Sequence, residues 1–363
     1  PNENGDVSVR LTWRGLSSNG VQLGLGSTGG NLKDDPDAVP TPMKNFLVQP
    51  AIQNVPTTDY VGYKYSGDRI RFLEQATFGP TAELDQRLRR IGLKIWLAEQ
   101  FEAQYPSVAN PYPDLPLKSN DPNDATLGCG MFTSGSTEWR ACIRDFYSQY
   151  LVQSWFFKEA FYGEPQLRHR VAWALSELWV ISGVDTQQAS HMIAYHKLLA
   201  KNAFGNYRDL MSDMTLNPGM GNYLDMARST KNSPNENYAR EILQLFSVGL
   251  FMLNQDGTLQ LDGNNQPIPT YDQSTVNNFT KVFTGWSFCN NGTNPACSSA
   301  VAGTVNYKDP MLLTQNNHDV TAKTLLNYPN AVNPTIAAGL EGPNEKALAP
   351  YNIFYYPNAG SFF

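Results

Sequence analysis

The sequence predicts a mainly α fold: a single large helical domain carrying a small β-hairpin or meander and long loops, behind an irregular N-terminal arm. Three observations predict it. From about Ser66 onward, apolar residues recur at three- and four-residue spacing, the mark of amphipathic helices. Gly-, Pro- and Asn-rich stretches punctuate these runs. Residues 1–60 lack the helical spacing and carry loop-forming stretches such as GLGSTGGN and DDPDAVPTPM, so they form an arm or linker and 61–363 the helical domain.

Within the arm, VSVRLTW alternates as a strand does. Asp68 is placed to cap a helix carrying Ile70, Leu73 and Phe78, and a second helix runs from about Thr81 to Phe101. Residues 105–137 form a long loop, followed by a helix from about Glu138 to Ala160. PQLRHRVAWALSELWVIS begins with Pro165 in its first turn and is apolar almost all round, which predicts a buried central helix. Further helices are expected over Ala189–Phe204, capped by a left-handed Gly205, and over Tyr207–Leu216. In SPNENYAREILQLFSVGL, Ser233 as N-cap with Glu236 three residues on reads as a capping box, and Gly249 ends the helix. A hairpin or meander turning at Asp256-Gly257, a helix over 272–284 and a short helix near Ala322–Leu326 complete the series.

The composition bounds the function. The 363 residues carry 27 Lys+Arg against 33 Asp+Glu, a net charge of −6. An acidic chain without clustered Lys/Arg is no nucleic-acid binder. No apolar run reaches the roughly 18 residues of a membrane span. Hydrophobic residues at 41% and aromatics at 12% suffice for a sizeable core. Four cysteines fall into two close pairs, Cys129 with Cys142 and Cys289 with Cys297, without zinc spacing. Two local disulfides are the simplest reading and imply an oxidising, extracytoplasmic compartment. The alternative is four reduced thiols in a cytosolic enzyme. The start at Pro1 suggests a mature form or a fragment.

Candidate chemistry centres on two helices. Arg170, Trp173 and Glu177 fall near one stripe of the central helix, and Glu241 points to the apolar side of the helix that carries Tyr238 and Arg240. Buried charges must pair, so an Arg/Glu network between these helices is expected. It reads either as a structural brace or as a paired-carboxylate site with one acid and one base. Glu236 is explained by capping. Asp319 reads as an N-cap, while His318 and Lys323 are candidates to line a cleft. His191 and His196 are five apart, not the four of a helical metal pair, and no metal centre is predicted. A calcium site at Asp256, Asp262 and Asn264 is a weak candidate cofactor site. Trp286 reads as a core residue or as an aromatic platform for a sugar. Nucleophile-elbow, P-loop and dinucleotide-binding motifs are absent.

Six segments, RFLEQATFGPT, LRHRVAWALSELWVIS, AFGNYRDLMSDMTLNPGMGNYLD, NENYAREILQLFSVGL, PTYDQSTVNNFTKVFTGW and HDVTAKTLL, occur in this order. Together they resemble the bacterial family catalogued as domain of unknown function 1800, over about 66–363. The resemblance implies a largely helical exported protein, often accompanied by a sulfatase-like partner protein, and it implies no reaction. It also implies further helices beyond Phe363. The motif residues present are Gln75, Arg170, Glu177, Asn235, Glu236, Arg240, Glu241, Trp286, His318, Asp319 and Lys323.

Three functions are carried forward. The first is a polysaccharide-acting hydrolase or lyase, with Glu177 and Glu241 as carboxylate pair, Arg240 and His318 assisting, and Trp286, Tyr238, Arg170, Gln75 and Lys323 contacting substrate. The second is a non-catalytic surface protein for binding or assembly. The third is a carboxylate-bound metal enzyme. Convergence of Glu177, Arg240, Glu241 and His318 on one open pocket would favour the first.

Overall fold

The apolar spacing becomes ten α-helices in the computed structural model, which describes residues 66–185, 188–290 and 294–326. Outside these, short antiparallel backbone pairs join β1 (Ser8–Val9) to β4 (Val21–Gln22) and β2 (Thr12–Trp13) to β3 (Leu16–Ser17). The rest of the arm lies outside the described residues, as does most of the chain after 326. Where the sequence suggests one domain, the chain divides into two compact units. One comprises Pro1–Pro111 with Phe157–Val171, the other Tyr112–Phe156 with Ala172–Phe363. Neither unit is contiguous in sequence, so helical periodicity carries no trace of the division.

In the first unit, α1 (Ser66–Ala76) packs on α2 (Ala82–Glu102). Leu73, Ala76, Leu88 and Trp96 make the buried contact, with Phe72 edge-on to Trp96 at 5.3 Å. Thr81 caps α2 by accepting from the Leu84 N–H, and Gly92, at φ 79°, kinks it. Buried Arg69 donates to Asp85 at 2.6 Å, tying the two helices. Asp68 is not the expected cap: α1 starts at Ser66, so Asp68 sits within the first turn. Burial there pushes its carboxyl up, against the opposing charge of Arg71.

The expected helix over Glu138–Ala160 is two helices, α3 (Thr137–Phe146) in the second unit and α4 (Tyr150–Tyr162), whose residues from Phe157 on belong to the first. The break occurs where Tyr147 turns inward and donates to the Ser119 carbonyl at 2.8 Å. It packs there with the Cys129–Cys142 disulfide, and Cys289–Cys297 forms the second bridge. Helix α5 (Gln166–Leu178) is not enclosed all round: Ala174 and Glu177 are exposed, and Leu178 is 57% exposed. After α6 (Ala189–Asn202), Gly205 does not take the expected left-handed conformation.

Helices α7 (Tyr207–Thr215) and α8 (Pro218–Tyr223) lead to α9 (Asn237–Gln244), which starts later than expected. No capping box forms. The Ser233 N–H bonds back to Thr230 in a tight turn, and Asn235 instead accepts from the Asn237 N–H at 2.9 Å. The helix ends at Gln244, earlier than the expected stop at Gly249, whose N–H bonds back to the Leu243 carbonyl at 2.9 Å with φ 73°.

The expected meander closes on itself. Met252 N–H donates to Ile268, Ile268 to Gln260, and Gln260 to Met252, at 2.9, 3.0 and 2.9 Å. Three chain passes eight residues apart thus satisfy one another without an extended sheet. Gly257 turns the first pass at φ 85°. Helix α10 (Gln273–Val282) follows, capped by Asp272. Then β5 (Trp286–Ser287) pairs with β6 (Leu312–Leu313). In place of the expected helix near Ala322–Leu326 there is β7 (Lys323–Thr324), paired with β8 (Thr335–Ile336). Asp319 accepts from the Thr321 N–H at 2.8 Å in a local turn rather than capping a helix. Among the described residues no helix is long and apolar enough to cross a membrane.

Candidate functional site

The residues singled out by sequence separate into a surface cluster, a buried group and isolated positions. The cluster lies on α9 and the first turn of α10. Glu236 binds Arg240 one turn on at 2.7 Å and accepts from Gln273 at 2.9 Å. Arg240 also donates to Gln273 at 3.1 Å. These bonds, Arg240's first, hold the Glu236 carboxyl below its usual range. Beside them, half-buried Glu241 keeps its Oε2 out of water with no hydrogen-bond partner among the described residues. The Tyr271 hydroxyl is in the same state. Burial pushes its phenol up, with Arg240 lowering and Glu241 raising it through their charges. Tyr271 was not singled out by sequence, although it lies in the PTYDQ segment.

Glu177 does not join this cluster. It is exposed on α5, on the same outward face as Ala174 and Leu178. The expected buried Glu177–Glu241 carboxylate pair is therefore not formed. Heptad-like spacing places Glu177 on a stripe but does not decide which stripe faces the interior. In the first unit, Arg170 donates to the Gln75 carbonyl at 3.3 Å and lies over the Phe78 ring at 5.5 Å, while the Gln75 side chain is exposed.

His318, Lys323, Tyr238 and Trp286 are interior residues, 1%, 1%, 1% and 5% exposed. His318 Nδ1 bonds the Thr284 carbonyl at 2.7 Å. Lys323 Nζ donates to the carbonyls of Asp319 and Thr321 at 2.6 and 2.8 Å. Tyr238 shares a 2.8 Å hydrogen bond with Thr215. A sugar stacks on an open ring face, and neither aromatic offers one. Trp286, Tyr238 and Lys323, expected to contact substrate, and His318, expected to assist, are thus found buried and engaged with the interior rather than lining an open cleft.

The calcium candidates are spent on turns. Asp256 accepts from the N–H and hydroxyl of Thr258, and Asp262 from the N–H groups of Asn264 and Gln266. Among the described residues no group of three or more His, Cys, Asp or Glu is arranged to hold a metal ion.

A groove that the sequence did not indicate lies wholly in the first unit, with a volume of about 880 Å³. Its lining includes Glu83, Arg87 and Glu99 of α2, Glu164, and Phe161 with Tyr162 at the end of α4. Arg87 donates to Glu99 at 3.0 Å. The N-terminal backbone of α2, then Thr81, holds the Glu83 carboxyl below its usual range. Two buried amides brace the walls. Gln100 donates to the Glu164 carbonyl at 3.0 Å and accepts from Leu167 N–H at 2.9 Å. Gln166 donates to the carbonyls of Ala160 and Gly163 at 3.1 and 2.7 Å and accepts from Phe78 N–H at 3.2 Å. Phe161 and Tyr162 are 64% and 85% exposed, and Phe157 stacks on Phe161 at 5.9 Å. The sequence signal was present as aromatics four apart on α4, Phe157 and Phe161.

The motif segments fall within the reach of one family model. The chain belongs to the family described as protein of unknown function (DUF1800), whose model matches residues 71–358. No curated protein and no solved structure is significantly similar to it.

Proposed function

We propose that this protein is an extracytoplasmic binding protein that holds a polysaccharide strand in the groove of its first unit. The observation that carries the reading is the groove itself, with exposed Phe161 and Tyr162 beside Glu83, Glu99 and Glu164. Aromatic faces stack on the apolar faces of sugar rings, and carboxylates accept from sugar hydroxyls. Three carboxylates against one guanidinium, Arg87, favour neutral or amino sugars over uronates. The two disulfides support an oxidising compartment. The exposure of Glu177 weighs against a buried carboxylate pair with Glu241.

Calorimetric titration with neutral, amino-sugar and uronate oligosaccharides tests this. Neutral or amino-sugar chains bind, and Phe161→Ala and Tyr162→Ala each weaken binding about tenfold, near 1.4 kcal/mol. Because both rings are exposed, the variants keep the wild-type melting temperature. Affinity unchanged in the double variant would sink the reading.

A second reading, a hydrolase or lyase acting through Glu241, is favoured by the unpartnered, buried Glu241 Oε2 and Tyr271 hydroxyl beside Arg240. There Glu241 takes a proton from substrate and Arg240 balances the developing negative charge. Turnover of a glycan panel left intact by both Glu241→Gln and Tyr271→Phe removes it.

A further inference from the structure

The second unit carries a concavity of about 240 Å³ whose chemistry is opposite to that of the acidic groove. Lys197 and Lys201 reach it from successive turns of α6, and Lys308 from the loop before β6. Leu198, Leu216 and Pro218 supply apolar wall. In a chain of net charge −6, three ammonium groups around one small concavity need an explanation.

The three are not equally neutralised. Lys201 is paired with Asp213 at 2.8 Å, and Asn202 donates to the same carboxylate oxygen at 2.9 Å. Lys308 stands 3.8 Å from Asp114, whose side chain is fully exposed, so water and salt screen that pair. Lys197 is in ion-pair contact with no carboxylate of the described residues, and its ammonium lies 5.2 Å from the Tyr112 ring centroid. Burial, then the positive charge of Lys308, hold the Lys197 ammonium below its ordinary range, with Asp114 acting the other way. Two like charges brought together at a partly dehydrated concavity are a cost to the fold, relieved when an anion bridges them.

We infer that the Lys197–Lys308 concavity is a binding site for an oxyanion, a carboxylate or phosphate group carried on a small, partly apolar body. The ammonium groups donate to the oxyanion, and Leu198, Leu216 and Pro218 pack against the body that carries it. Asp213 stays with Lys201 and limits the site to one anionic group. The site is independent of the sugar groove, since none of its residues lines that groove.

Calorimetric titration at low ionic strength with inorganic phosphate, glucuronate and methyl glucoside tests the inference on the full chain. At least one of the two anions binds and methyl glucoside does not. Which anion binds identifies the source of the oxyanion. Lys197→Gln and Lys308→Gln each weaken binding at least tenfold, while Lys158→Gln, on the surface of the first unit, leaves it unchanged. Phe161→Ala also leaves it unchanged, which separates this result from the fate of the sugar-groove reading. In the native protein, NMR titration of the Lys197 ammonium shows its pKa rising on anion binding. Absence of binding by both anions, or full affinity in the Lys197→Gln/Lys308→Gln double variant, overturns the inference.

Discussion

The carboxylate of Glu159, fully buried at the end of α4, accepts from both the backbone N–H and the hydroxyl of Ser107, at 2.9 and 2.8 Å. Its other oxygen accepts from Asn110 at 2.9 Å. One buried side chain thus pins the segment that follows α2. Hydrogen bonds to charged groups are worth about 1.5–3 kcal/mol, and their loss here strands buried donors. Glu159→Ala is expected to lose about 3 kcal/mol in urea unfolding and to open residues 105–111 to proteolysis. Glu159→Gln, which keeps one acceptor, should lose about half as much. A wild-type urea midpoint for Glu159→Ala would contradict this role.

Gly285, between α10 and β5, has φ 85°, and a Cβ there would meet the His318 backbone N and Cα at 2.8 and 2.9 Å. The close approach lets His318 Nδ1 reach the Thr284 carbonyl, and Thr284 Oγ1 accept from the Asp319 N–H at 2.9 Å. Gly285→Ala adds a backbone clash to the left-handed cost of about 1–2 kcal/mol. Gly135, at φ 79° with nothing within 4 Å of a Cβ, isolates the backbone cost alone. Chemical denaturation should show Gly285→Ala losing clearly more stability than Gly135→Ala. Equal losses would mean the His318 segment moves aside freely.

His191 is 3% exposed, neither ring nitrogen has a hydrogen-bond partner among the described residues, and its ring meets Tyr307 at 3.5 Å. Burial pulls its pKa down to about 3, against about 6.5 when unfolded. Between these values the unfolded chain holds the extra proton, so His191 contributes stability above pH 6.5 that is lost as pH falls. The slope approaches about 1.4 kcal/mol per pH unit. The unfolding free energy of His191→Phe, followed from pH 7 to 4, should fall less steeply than wild type by about that amount. Parallel profiles would show that His191 takes up its proton in the folded protein as readily as in the unfolded chain.

Much of the local structure was legible from spacing. Helix α2 begins at Thr81 because a hydroxyl there accepts from an N–H that the helix leaves free, and that needs only neighbouring residues. The cysteine pairs were legible for the same reason, since each closes a short loop. The failures were also physical. Ser233 and Glu236 have capping-box spacing, yet Ser233 is drawn back to Thr230 and Glu236 out to Arg240 and Gln273. Tyr147 splits a helix that the apolar pattern runs straight through, because a distant carbonyl, that of Ser119, draws its hydroxyl inward.

The sequence by itself determined the helical class, the strong turns and the disulfide loops, because those depend on dihedral preference and contacts a few residues apart. Only the tertiary structure decided which polar residues became surface and which became core. Glu177 and Glu241 looked alike on their helices. Exposure separated them, and exposure depends on which elements pack against each face. The acidic groove and the Lys197–Lys308 concavity arise in the same way. Each gathers residues far apart in the chain, and their charges acquire meaning only once they stand side by side.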